Sequence, residues 1–123
     1  MGNNIFTTIN MPVQITTESI KDLLCSAIEG GSNYWIETLT RSKDITKAQA
    51  EYRQDVPFAG GHLVLLDDQG IKHTINIDSI KKGLKAFQEK YPRNFKDFVE
   101  DNADAETGDI FLQCCTYGEA IYG

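Results

Sequence analysis

Cysteine is scarce here and falls outside any metal or redox pattern. Cys25, Cys114 and Cys115 are an odd count with no C-x-x-C pair, which excludes a disulfide framework and a zinc knuckle and fits a reducing cytoplasm. Long apolar runs are missing too. The longest aliphatic stretch is Leu63 to Leu66, far short of the ~20 residues of a membrane helix. No basic-then-apolar leader opens the sequence, and Met1-Gly2-Asn3-Asn4-Ile5-Phe6 carries no Ser or Thr where a myristoylation signal needs one, so a soluble protein without a lipid anchor is expected. Basic charge is in deficit. Twelve Lys and Arg against eighteen Asp and Glu give net −6, which argues against a general nucleic-acid binder held by counterion release. Repeats, low-complexity tracts, a G-x-S-x-G elbow, a phosphate-binding glycine loop and a dinucleotide fingerprint are all absent.

What is present is an ordinary globular composition. With 123 residues and 41% hydrophobic side chains, the chain is long enough for one core and one domain, residues 1–123. Residues 12–16 read as a short strand. Thr17 then caps a helix with Ile20, Leu23, Leu24, Ala27 and Ile28 on one face, closed by Gly30 and Gly31 as left-handed C-terminal caps. Asn33 to Thr38 has the aromatic and β-branched content of a strand. Residues 42–61, with Pro57, Gly60 and Gly61, are less regular than their flanks. Leu63–Asp67 and Ile71–Ile77 form a hairpin around Asp68-Gln69-Gly70, with Asp67 opposite Ile71. That register turns Leu63, Leu65, Ile71, His73 and Ile75 inward. Asp78 caps a second helix bearing Ile80, Leu84, Phe87 and Tyr91, slightly weakened by Gly83 and stopped at Pro92. A short helix from about Asn94 and a last one from about Glu106 to Tyr117, ended by Gly118, complete an α+β domain. It is a small antiparallel sheet packed with three to four helices.

Charge is laid out unevenly along the chain. Residues 81–96 hold Lys81, Lys82, Lys85, Lys90, Arg93 and Lys96 against Glu89 alone, while from Asp97 onward there are seven acids and no base. The two segments could neutralise each other, or leave a basic helix face and an acidic surface. The acidic stretch from Asp101 to Asp109 does not have EF-hand spacing, because Ala103 and Ala105 fall where ligands are required. Asp104 or Thr107 as an N-cap, with Glu106 and Asp109 in the first turn, accounts for it better. His62 and His73 lie on opposite faces of the hairpin and cannot share a metal, and no cofactor is implied. His73 is either a hydrogen-bonded core residue or a general base beside an inward carboxylate.

The most informative run is Glu29-Gly30-Gly31-Ser32-Asn33-Tyr34-Trp35. Ser32 and Asn33 offer paired donors and acceptors, and Tyr34 and Trp35 offer ring faces on which a planar base can stack. The same residues also suit a helix end leading into a strand that buries Trp35. Tyr117 and Tyr122 are most simply packing residues.

The run Ala27-Ile28-Glu29-Gly30-Gly31-Ser32-Asn33-Tyr34-Trp35 is one of three stretches with a common likeness. The others are Asp104-Ala105-Glu106-Thr107-Gly108-Asp109-Ile110-Phe111-Leu112-Gln113 and Tyr117-Gly118-Glu119-Ala120-Ile121-Tyr122-Gly123. Together they resemble a family of small proteins encoded by bacteriophages, prophages and other mobile elements. Leu84-Lys85-Ala86-Phe87 and Tyr91-Pro92-Arg93-Asn94-Phe95-Lys96-Asp97-Phe98 are similar as well, whereas residues 36–61 add nothing to the likeness. The resemblance implies a genomic setting and carries no catalytic residue with it.

In that setting the leading expectation is a non-catalytic protein of the bacterial host cytoplasm that sequesters a small nucleotide-derived ligand and blunts host immune signalling. A homo-oligomer would build such a pocket from Ser32, Asn33, Tyr34 and Trp35 around the base or ribose, with Lys81, Lys85 and Arg93 on phosphate. The alternative is an acidic inhibitor of a host defence complex, meeting a basic partner surface with Asp101, Asp104, Glu106 and Asp109. A third reading is a small enzyme with His73 as base.

Overall fold

A computed structural model describes residues 4–123. The reading of Met1 to Asn3 as free of a lipidation signal lies outside the described residues. The chain folds as one α+β unit. Its three-stranded antiparallel sheet has the order β1 (Ile36–Arg41), β2 (Leu63–Asp67), β3 (Lys72–Ile75). Among the described residues four α-helices accompany it: α1 (Thr17–Ser26), α2 (Ile77–Lys90), α3 (Pro92–Val99) and α4 (Ala105–Tyr117). Among the described residues no helix is long and apolar enough to cross a membrane.

The hairpin register is the expected one. Leu63 faces Ile75 and Leu65 faces His73, and Gly70 at φ 80° supplies the left-handed loop position. This pattern buries Leu63, Leu65 and Ile75. Ile71, expected inward, lies in the loop before β3 and is 54% exposed, so the inward face starts at His73.

α4 is the central helix, packed between α1 and α2. Asp104, one of the two caps the sequence offers, accepts from the Thr107 N–H at 2.9 Å, and Gly118 ends the helix at φ 81° as the sequence predicts. Close approach on its two sides depends on missing side chains. A Cβ on Gly83 of α2 would stand 2.6 Å from the Cys115 Cα, and one on Gly31 would stand 2.2 Å from the Ala105 carbonyl oxygen. Gly83 is thus a packing residue, whose modest cost in helix propensity is offset by the α2–α4 contact it permits.

Several local expectations are corrected. Residues 12–16 form no strand. The sheet offers them no partner, and Met11, Val13 and Ile15 lie instead along α2. The cap of α1 is Thr16, accepting from the Ser19 N–H, and the cap of α2 is Asn76, which forms a reciprocal pair with Ser79. Gly30 and Gly31 do not adopt the left-handed conformation. α1 runs into a π-helical turn over Ala27–Gly31 that keeps Ala27 and Ile28 in the core. β1 starts at Ile36, after a turn holding Asn33 to Trp35. Pro92 starts α3 as well as stopping α2, because a helix's first position needs no N–H. Residues 42–61 hold turns and a 3₁₀ helix, Arg53–Ala59. Arg41 donates to the carbonyls of Ala50 and Glu51, and Arg53 donates to that of Leu39 at 3.0 Å, tying this segment to the sheet edge.

Candidate functional site

The glycine-aromatic run and the acidic helix start converge on one carboxylate. Asp109 projects from the first turns of α4 into the space under the turn at Ser32–Trp35. Its Oδ1 accepts from the Ser32 hydroxyl and from the Trp35 indole N–H, each at 2.7 Å. Its Oδ2 accepts from the Tyr34 hydroxyl at 2.6 Å and from the Gln113 side-chain amide at 3.2 Å. Four donors replace water around a carboxylate that is 6% exposed, which is how a buried charge is tolerated. Burial and the neighbouring Asp109 push the Tyr34 hydroxyl up to about 12, so it stays a donor across physiological pH.

Gln113 extends this network to the end of the described chain. Its Oε1 accepts from the backbone N–H groups of Ile121 at 2.7 Å and Tyr122 at 2.8 Å. The Tyr122 ring then stacks on Trp35 with centroids 5.3 Å apart and planes 10° from parallel. The Tyr122 hydroxyl donates to Asp68 at 2.7 Å, and the Tyr91 hydroxyl accepts from the Ala120 N–H at 2.8 Å. The stretches over residues 27–35, 104–113 and 117–123 are therefore spatial neighbours that satisfy one another.

Asp67, at the end of β2, is a second hub. It accepts from Tyr117 at 2.7 Å, from the N–H groups of Gln69 and Ile71 at 2.9 Å, and pairs with His73 Nε2 at 2.9 Å. The His73 and Tyr117 hydrogen bonds, helped by those two N–H groups, hold the Asp67 carboxyl well below the usual carboxylate range against the opposing effect of burial. The His73 ring also meets Tyr117 edge-on at 4.8 Å.

These contacts divide the expected ligand residues. Ser32 and Trp35 are fully buried and their polar atoms are taken by Asp109, so neither offers a face to a base. Asn33 is exposed, and Tyr34 is half-exposed over a cavity it shares with Glu106, Ile110 and Tyr122. Lys81 and Lys85 flank a different cleft, with Met11, Val13, Ile15, Leu84, Gln88 and Phe95. Arg93 is exposed on α3 and lines neither. A single pocket built from all seven within one chain is not formed.

The expected acidic surface is also reduced. Asp109 is buried, Asp104 is occupied as the α4 cap, and Asp101 and Glu106 remain exposed. Nor do the basic and acidic segments neutralise each other through ion pairs. Among the described residues, salt bridges join Lys21 to Glu18 and Asp55, and His73 to Asp67, and none involves the cations of residues 81–96.

Thiol chemistry is disfavoured. Burial raises the Cys114 thiol to about 11 and the Cys115 thiol well above its ordinary value, and Cys25 is raised by burial and neighbouring acids, so all three stay protonated near neutrality. No three His, Cys, Asp or Glu side chains gather as a metal site among the described residues.

Asp67 and Gln113 were not singled out from the sequence. The hairpin register carried the signal for Asp67, since counting by two from Leu63 and Leu65 puts it on the face that holds His73. Gln113 follows Asp109 by four residues, one helical turn, and so shares its side of α4. Comparison with protein-family models, curated proteins and solved structures finds no match to this chain.

Proposed function

We propose that the chain is a non-catalytic binding protein that holds a small nucleotide-derived anion in the cleft between residues 11–15, α2 and α3. In keeping with the resemblance to mobile-element proteins, it would do so in the bacterial host cytoplasm, as a homo-oligomer, and thereby withdraw a signal from host immunity. One observation carries the reading. Lys81 and Lys85, unpaired with any acid among the described residues, rim a cleft of about 420 Å3 whose lining includes Leu84 and Phe95 and no acid. Pockets for small ligands are commonly of this size, largely apolar with a few polar groups that fix orientation. Phe95 offers a ring, Gln88 an amide and the two lysines a counter-charge for phosphate. Trp35 leaves the expected ligand set and Phe95 takes its stacking role.

The oligomer has separate support. Ile5, Phe6, Ile9 and Met11 are each more than three-quarters exposed, an unusual concentration of apolar surface on one short segment.

Native mass spectrometry of protein purified from bacterial cells, followed by denaturation and identification of released small molecules, tests both parts. A stoichiometric nucleotide-like mass on an oligomer, lost in the double variant Lys81→Glu, Lys85→Glu, is the expected result. A ligand-free species that also fails to bind cyclic and linear nucleotide signals would overturn it.

A further inference from the structure

α2 has a second flank, where Lys82 rather than Lys81 faces a cavity. That cavity, about 480 Å3, lies along the free edge of β3 against the last turns of α4, lined by Lys72, His73, Thr74, Ser79, Lys82 and Thr116 with the two adjacent cysteines and Gly118. We propose that it is a binding site for a tetrahedral oxyanion, a phosphate ion or the phosphoryl group of a monoester, with His73 as its central donor. Three features point to that chemistry.

The lining contains two lysines and no acid, and neither lysine has an ion-pair partner among the described residues. The strand edge adds main-chain donors. Asp67 bonds to Ile71 and Leu65 pairs with His73, so the alternation of an antiparallel ladder turns the N–H groups of Lys72 and Thr74 away from β2 and toward the free edge. The same alternation sends the Lys72 and Thr74 carbonyls to that edge, and the Thr74 carbonyl, which would repel an anion, already accepts from the Ser79 hydroxyl at 3.0 Å.

His73 is the third feature. Its Nε2 is fixed on the buried Asp67 carboxylate and its ring rests on Tyr117, so its orientation is set from behind. Nδ1 has no protein partner, and no buried side-chain nitrogen or oxygen among the described residues lacks one, so Nδ1 is not sealed in the core, and His73 lines the cavity. When the ring is protonated it donates through both nitrogens, Nε2–H to Asp67 and Nδ1–H to an anion oxygen, giving an alternating series of charges from Asp67 outward. Asp67 touches no ligand. It positions His73.

This site is separate from the Lys81–Lys85 cleft, and its test does not depend on what that cleft holds. The full chain is titrated with inorganic phosphate, with AMP and with adenosine at constant ionic strength, reading the His73 ring nitrogens by long-range 1H–15N NMR. The expected result is a saturable His73 shift with phosphate and AMP and none with adenosine. Equal response to phosphate and AMP identifies the ion itself as sufficient, whereas a tighter response to AMP identifies the phosphoryl group of a larger ligand. Lys72→Gln and Lys82→Gln, whose exposed side chains make no hydrogen bond in the fold, should each weaken binding roughly tenfold, as expected for one lost charge-assisted contact. Lys43→Gln, on the loop after β1, should leave it unchanged. A shift that never saturates, that chloride reproduces, or that survives Lys72→Gln and Lys82→Gln overturns the proposal.

Discussion

The two flanks of the helical layer differ in what they do with polar groups. Around Asp109, every donor in the Ser32–Trp35 turn that the carboxylate can reach is used, and two of the aromatic rings are stacked on each other. Along α2, by contrast, Lys81, Lys82 and Lys85 stand over two cavities with no acid to meet them. The stretches that look most like a binding motif are consumed in joining α4, the turn and residues 120–122. The less conspicuous lysines are what is left open. A cluster of Gly, Ser, Asn, Tyr and Trp has the composition of a ligand pocket and equally of a buried polar junction, and only the presence of a carboxylate opposite it separates the two.

The sharpest way to break the contrast is at its closed side. Asp109→Leu leaves the buried Ser32 hydroxyl and Trp35 indole N–H without acceptors, and should cost about 3–5 kcal/mol in urea-induced unfolding, a large fraction of a typical domain's stability. Trp35→Ala should cost about as much through the cavity it leaves, so loss of ligand in that variant would report lost structure, not a lost contact. Next comes the α2–α4 contact. Gly83→Ala places a Cβ against the Cys115 backbone, and about 1–3 kcal/mol of destabilisation should appear in the urea midpoint, although Ala is the better helix former.

Acid sharpens the comparison at Asp67. Its folded carboxyl is held below the unfolded value of about 3.9, so its contribution is fully present above that pH and is lost as pH falls toward the folded value. Urea midpoints measured from pH 5 down to pH 2 should therefore drop less steeply for Asp67→Asn than for the native chain. The smallest effect belongs to the open side. Lys81→Glu with Lys85→Glu should move stability by no more than about 0.5 kcal/mol for each exposed substitution while abolishing ligand retention, since neither lysine takes part in an ion pair among the described residues.

How far the sequence was legible follows the range of the interactions involved. The end of α4 could be read from Gly118 and its start narrowed to Asp104 or Thr107, because caps act on their own turns, and the hairpin register followed from three loop residues. The end of α1 could not, since the π-helical turn and the conformation of Gly31 answer to the Ala105 carbonyl of a distant helix. Residues 42–61 kept their fastening hidden for the same reason: Arg41 and Arg53 reach main-chain carbonyls, which no side-chain pattern announces. At the site, burial of Trp35 was one of two readings of the same run. Choosing between them required Asp109, which lies 74 residues further along.

That separation also bears on how the protein is made. During synthesis from the N-terminus, Trp35 leaves the ribosome long before Asp109 and the Tyr122 ring that cover it. Closure must wait for those contacts, with the entropy of a long loop to overcome. The nascent chain therefore displays its sole tryptophan to chaperones and proteases until all of α4 and the Tyr122 that follows it have left the ribosome.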